Sequence, residues 1–188
     1  MKRVVLILAF LILTGKSNAQ FVSISAGLPI PNSPESFSNN YLANYSASAV
    51  LGLYLTPSQN AAVTLNADYS TFGIRKSAFQ SVTGKSAYQA SLQAGAEFTP
   101  IRSAVELRFF ATAGVARLQI DPLDGIQDGY SVSYSGHKTT TGIWAIGTGV
   151  GVPIISGLSW ITDIRVTSLT EPDASTILPV RTGLRFTF

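Results

Sequence analysis

The single histidine of the chain, His137, lies in the run Ser133-Tyr134-Ser135-Gly136-His137-Lys138, with Asp128 a few residues upstream. Ser, His and Asp are the residue types of a hydrolase triad, in which an imidazole takes the proton of a hydroxyl nucleophile and a carboxylate orients the ring. No GxSxG elbow or comparable spacing accompanies them, and the segment reads as a solvated loop. Asp121, Asp124 and Asp128 offer the hard oxygens that suit calcium. Their run departs from the EF-hand pattern, however, and its Asp-Gly pairs are ordinary turn formers. Gly147, Gly149 and Gly151 lack the strand–turn–helix context of a dinucleotide site; relief of crowding or strand curvature accounts for them. The chain has no cysteine, so neither a disulfide framework nor a lipid-modified N-terminal Cys is available. No catalytic, cofactor or metal residue is assigned, and a non-enzymatic protein is expected.

A different set of ionisable residues does share a pattern. Asp68, Glu97, Glu106, Arg108, Asp163, Arg165, Arg181 and Arg185 each sit on the polar parity of a segment in which every second residue is apolar. They are four acids and four bases, able to neutralise one another in a confined space. What positions them is period-two alternation, the mark of strands with one apolar and one polar face. The clearest case is the C-terminus: Leu178, Val180, Thr182, Leu184, Phe186 and Phe188 alternate with Pro179, Arg181, Gly183, Arg185 and Thr187.

Eight such segments are legible, at about 21–28, 43–55, 61–72, 86–98, 104–118, 139–152, 158–168 and 178–188. Phe110, Leu118, Ile143 and Ile161 break the alternation, so local register is open there. The connections at 56–60, 99–103 and 153–156 are short and each carries a Pro, which presets a turn. Those at 29–42, 73–85, 119–138 and 169–176 are longer. Short turns at one end and long loops at the other are the habit of transmembrane barrels, with both termini on the short-turn side.

Alternation alone does not say which face is outside, since a soluble barrel turns its apolar face inward. The charges and small residues of the polar face suit a narrow interior, because a basic side chain near the bilayer midplane costs roughly 2–4 kcal/mol. The apolar face is also banded by aromatics. Tyr45, Tyr69, Tyr88 and Trp144 lie near the long-loop ends of their strands, and Phe98, Trp160, Phe186 and Phe188 near the short-turn ends. Ten residues separate Tyr45 from Leu55 and Tyr88 from Phe98, a rise of roughly 23 Å at barrel tilt, close to the apolar band of a membrane barrel. The expected fold is all-β: an eight-stranded antiparallel up-and-down transmembrane β-barrel with four long extracellular loops and three short periplasmic turns.

The N-terminus supplies the route. Lys2 and Arg3, an apolar run from Val4 to Leu13, and Ser17-Asn18-Ala19 form a secretory signal peptide over residues 1–19, leaving Gln20 to open a single barrel domain over 20–188. The run is too short for a spanning helix, which needs about 20 residues. The net charge of +3 resides in Lys2, Arg3 and Lys16. The remainder is formally neutral, so the charge gives no support for nucleic-acid binding.

In its signal peptide, its loop pattern and its ending Leu184-Arg185-Phe186-Thr187-Phe188, the chain resembles the small eight-stranded outer-membrane barrels of the OmpA transmembrane-domain and OmpX type. The resemblance implies residence in the outer membrane of a Gram-negative-type bacterium among lipid and lipopolysaccharide. It also implies that Phe188 is a signal read by barrel-assembly machinery. No periplasmic domain follows Phe188, so a peptidoglycan-anchoring role is not expected. Eight strands leave an interior just wide enough for side chains, and paired charges there would plug it. The expected role is display of surface loops for adhesion, recognition or envelope integrity, with a possible extracellular ligand at loops 29–42 and 119–138. Arg75, Lys76, Lys85, Arg117 and Lys138 near the outer rim would face anionic lipopolysaccharide groups. The alternatives are a narrow porin-like channel for small solutes and a lipid-modifying barrel enzyme.

Overall fold

A computed structural model describes residues 20–84, 86–127, 129–170 and 175–188; the leader assigned to 1–19, together with Lys85 and Asp128, lies outside them. Alternating residues form long strands in chain order: β1 (Gln20–Ser33), β2 (Tyr41–Tyr54), β3 (Ala61–Ile74), β4 (Ser81–Gly84), β5 (Ala87–Arg102), β6 (Glu106–Ile120), β7 (Leu123–Gln127), β8 (Tyr130–Tyr134), β9 (His137–Ile155), β10 (Leu158–Leu169) and β11 (Thr176–Thr187), with one helix, α1 (Glu35–Asn40), between β1 and β2. Eight of the strands close into a barrel in the order β1-β11-β10-β9-β6-β5-β3-β2. Every adjacent pair is antiparallel. Closure is completed by the termini, where the Gln20 and Phe188 amides each donate to the other's carbonyl at 2.9 Å. No sheet edge of the barrel remains unpaired, which is the condition for strands to cross a hydrocarbon layer.

The strands overrun the segments read from the sequence at both ends. At the short-turn end, β5 continues through Pro100 to Arg102 and β9 through Pro153 to Ile155. The expected turns at 99–103 and 153–156 therefore begin later, because register shifts between Phe98 and Ile101 and between Leu158 and Ser159 absorb the prolines' missing N–H groups. The β9–β10 reversal is made by Ser156 and Gly157, the latter at φ +77.

At the other end most of the expected long loops are ordered. The 29–42 stretch is the end of β1, α1 and the start of β2. From the 73–85 and 119–138 stretches, β4, β7 and β8 form a separate three-stranded sheet in the order β4-β7-β8. These strands are four or five residues long and flanked by turn residues, so their alternation is too brief to mark them in the sequence.

The outward face is a continuous apolar belt that includes Ile24, Leu92, Val115, Ile146 and Ile164. A water-soluble monomer rarely carries so large an exposed apolar surface. Three threonine hydroxyls on it are satisfied within the wall: Thr148 Oγ1 donates to Arg108 O at 3.0 Å, Thr182 Oγ1 donates to Ile161 O at 3.1 Å, and Thr162 and Thr182 hydroxyls meet at 3.0 Å. That arrangement leaves little for water to do on this face. The folded chain is expected to run faster in a detergent gel than its boiled form and to fractionate with membranes. A water-soluble product with no boiling-dependent shift contradicts the outward placement of the belt.

Candidate functional site

The inward face of the barrel holds all eight of the alternating charges. Their pairing is set by which strands the closed topology brings across the lumen. Toward the short-turn end, Arg185 on β11 meets Glu97 on β5 as a bidentate pair, with Nη1–Oε1 2.6 Å and Nη2–Oε2 2.7 Å. Arg108 on β6 adds a third contact to Glu97 at 3.6 Å. One level toward the long loops, Arg181 Nη1 meets Asp68 Oδ1 at 2.5 Å, Arg165 meets Asp163 at 3.2 Å, and Arg165 reaches Asp68 at 3.9 Å. The serines of β1 and β2 complete the donors' shells: Arg185 Nε donates to Ser23 at 3.0 Å and Arg181 Nε to Ser46 at 3.2 Å. Glu106 is paired apart from these, at the short-turn end, with Arg102 at 3.1 Å. The planar, bidentate geometry of the Arg185–Glu97 pair is what lets a guanidinium persist out of water.

Arg102 was not singled out by the alternation, because it lies past Pro100 where the pattern lapses. It also donates to the carbonyl of Gln59 at 3.0 Å and to its Oε1 at 2.8 Å, tying the β5–β6 turn to the β2–β3 turn. Gln59 takes a positive φ of 57 to offer both.

The residues that interrupt the alternation lie inward without any register slip around them. The Phe110 ring lies 4.5 Å from the Arg165 guanidinium, a cation–π contact, and Ile161 is buried in the same region. Leu118 and Ile143 join Ala116 and Leu169 in an apolar cluster near the long-loop end. The alternating glycines of β9 make this possible. Gly147, Gly149 and Gly151 sit opposite Phe110, Arg108 and Glu106 on β6. A Cβ added at Gly147 would come within 2.5 Å of the Phe110 ring, and one at Gly149 within 3.0 Å of Arg108 Nη2. They are room for their neighbours' side chains, the crowding relief expected of them.

Both ends of the charged layer are covered. At the short-turn end Phe21, Val50, Tyr54 and Ala62 form a buried cluster, with the Arg185 guanidinium 3.9 Å from the Phe21 ring centre. At the long-loop end Phe37 of α1 turns down onto Phe72 and Tyr41, with ring centres 5.0 and 5.2 Å apart, in a cluster with Ala87 and Ile177. Arg75 holds α1 in that position, donating its amide to Asn40 O at 2.8 Å and its guanidinium to Ser38 O at 3.1 Å. It is engaged with the protein's own backbone, whereas Lys76, Arg117 and Lys138 are exposed.

On the outward face, Tyr45, Tyr69 and Tyr88 form a row across β2, β3 and β5 with ring centres 6.0 Å apart. Tyr88 donates its hydroxyl to Gln119 at 3.0 Å. Trp144, Phe98, Trp160, Phe186 and Phe188 are exposed on the same face. The loop residues that suggested chemistry have these partners, Asp128 lying outside the described residues. Ser133 donates to Asp124 at 2.6 Å rather than to His137, and Asp121 accepts from Gln119 at 2.9 Å. Among the described residues no three acidic or histidine side chains gather as a metal site.

No family model and no curated protein matches the sequence. Solved structures do match the fold. The Neisserial surface protein A structure superimposes with a TM-score of 0.59 at 14% identity, covering 92% of this chain and 100% of that one. A major outer membrane protein from Thermus thermophilus gives 0.56 at 13% identity over 90% and 99%. Ail, the attachment invasion locus protein of Yersinia pestis, gives 0.53 at 14% identity over 90% and 99%. The fold is that of the small eight-stranded outer-membrane barrels. In this barrel the apolar belt lies on the outside and the ionic set occupies the lumen.

Replacing Glu97 with Leu leaves Arg185 and Arg108 buried without their carboxylate, a loss expected to cost about 3–5 kcal/mol. The urea midpoint of vesicle-embedded protein should fall accordingly, and adding Arg185→Leu should recover part of it. An unchanged midpoint for Glu97→Leu would show that the pair contributes nothing.

Proposed function

We propose that the chain is exported by the leader at 1–19 and that the mature protein, from Gln20, resides in the outer membrane of a Gram-negative-type bacterium. There it acts as a non-enzymatic surface protein whose loops serve attachment, recognition or envelope integrity. The observation that carries the reading is a lumen closed at three levels beneath a folded loop platform. The aromatic cluster at the short-turn end, the paired arginines and carboxylates, and the Phe37 cluster lie in succession along the barrel. Above them α1 and the β4-β7-β8 sheet hold the loops in shape. A conduit has no use for such a stack, whereas a display scaffold benefits from its rigidity. Surface proteins of similar fold, the Neisserial protein and Ail among them, are consistent with this role.

In this reading the long loops face the exterior and the short turns the periplasm. Tyr45, Tyr69, Tyr88 and Trp144 form the outer aromatic girdle, and Phe98, Trp160, Phe186 and Phe188 the inner one, where amphipathic rings meet the headgroups. Phe188 serves additionally as the terminal signal for barrel assembly. Lys76, Arg117 and Lys138 face lipopolysaccharide phosphates at the outer rim, their stems lying along apolar surface.

Two measurements test this. Purified protein in planar bilayers is expected to give no discrete openings across many insertions; openings altered by Arg181→Ala would favour the narrow channel. The intact mass of the outer-membrane form should match a chain beginning at Gln20, and retention of residues 1–19 would remove the leader assignment.

A further inference from the structure

The loop platform is not solid. Between α1, the β7–β8 hairpin and the rim of the barrel lies a cavity of about 490 Å³, within the range of small-molecule sites. Leu118 and Leu169 contribute its apolar wall, with Tyr41 and Tyr134 beside them. Two buried polar side chains also line it: Asn40, 6% exposed, and Ser175, 3% exposed. Asn40 Oδ1 and Ser175 Oγ have no hydrogen-bond partner. Buried polar atoms are nearly always satisfied, and an orphan carries a cost of about 1–3 kcal/mol. Two orphans lining one cavity mark where a ligand's polar groups belong. The lining contains no carboxylate, ammonium or guanidinium among the described residues, so an ion entering it would lose its water without gaining a partner. His137, its one imidazole, stands exposed at the start of β9.

We propose that this cavity is a binding site for a neutral, largely apolar small molecule bearing hydroxyl groups. One hydroxyl donates to Asn40 Oδ1, another group pairs with Ser175 Oγ, and the apolar body packs on Leu118 and Leu169. The proposal deepens the surface-recognition reading and rests on it, since the cavity opens among the loops assigned to the exterior. Arg75 is a positioning residue for the site, because it fixes the end of α1 from which Asn40 projects.

The test uses full-length mature protein in lipid nanodiscs, its folding checked by the boiling-dependent gel shift. Saturation-transfer NMR reads binding of phenyl β-glucoside, with phenyl β-glucuronide as the charged counterpart of the same body. Phenyl β-glucoside should bind, phenyl β-glucuronide should not, and Asn40→Ala should weaken binding by about ten-fold, the scale of one lost buried hydrogen bond. Ser175→Ala serves as the second variant should Asn40→Ala fail to fold, with a loss of binding expected there too. Folded protein that ignores phenyl β-glucoside, binds phenyl β-glucuronide equally well, or binds unchanged in the folded variant overturns the proposal alone. A chain that never enters the nanodisc overturns the membrane reading and the proposal with it.

Discussion

The constraint from which the rest follows is the absence of water around the wall of the barrel. In hydrocarbon every backbone N–H and C=O must find a partner inside the protein, so the strands have to close. Closure here is achieved between β1 and β11, down to the reciprocal hydrogen bonds of Gln20 and Phe188. It then forces every ionised side chain within the belt onto the one face that is not lipid. Four acids and five arginines, Arg102 included, are thereby pressed into a space that eight strands barely leave open.

That crowding shapes the interior more than the attraction between charges does. Buried ion pairs are weak sources of net stability, because desolvation offsets much of their attraction, yet breaking one is expensive. The chain meets this by giving three of the guanidiniums specific partners: Glu97 and the Phe21 ring for Arg185, Asp68 and Ser46 for Arg181, Asp163 and the Phe110 ring for Arg165. The glycine row on β9 is the other half of the arrangement, since β6 could not direct Phe110, Arg108 and Glu106 inward against a partner with side chains. Apolar clusters at either end then separate the ionic layer from bulk water. A lumen packed this way supports the loops above it as a rigid base.

Much of this was legible in the sequence because membrane strands are read with period two. Asp68, Glu97, Arg181 and Arg185 announced their common face by parity alone, and the inward or outward choice followed from the cost of charge in lipid. Pairing was not legible, since it depends on which strands the closed sheet places across the lumen. Phe110, Leu118, Ile143 and Ile161 looked like register faults because the alternation rule assumes a polar interior. They are inward apolar residues that stack on arginine or cap the ionic layer. The loops were the hardest part. Stretches 29–42 and 119–138 are rich in Pro, Gly, Asn and Asp, and their alternation comes in runs as short as Tyr130–Tyr134, too brief to separate a strand from a loop. Asn40 was invisible for the same reason, its burial being a product of α1 folding back over the mouth.

The most direct measurement of the central claim is the phase each side chain faces along one strand. The chain has no cysteine, so single cysteines at Ala90, Ser91, Leu92, Gln93 and Ala94 of β5 can carry a bimane fluorophore, in vesicles containing spin-labelled lipid. Quenching should alternate, strong at 90, 92 and 94 and weak at 91 and 93. Uniform quenching, or the opposite alternation with Ser91 and Gln93 against the lipid, would contradict the account.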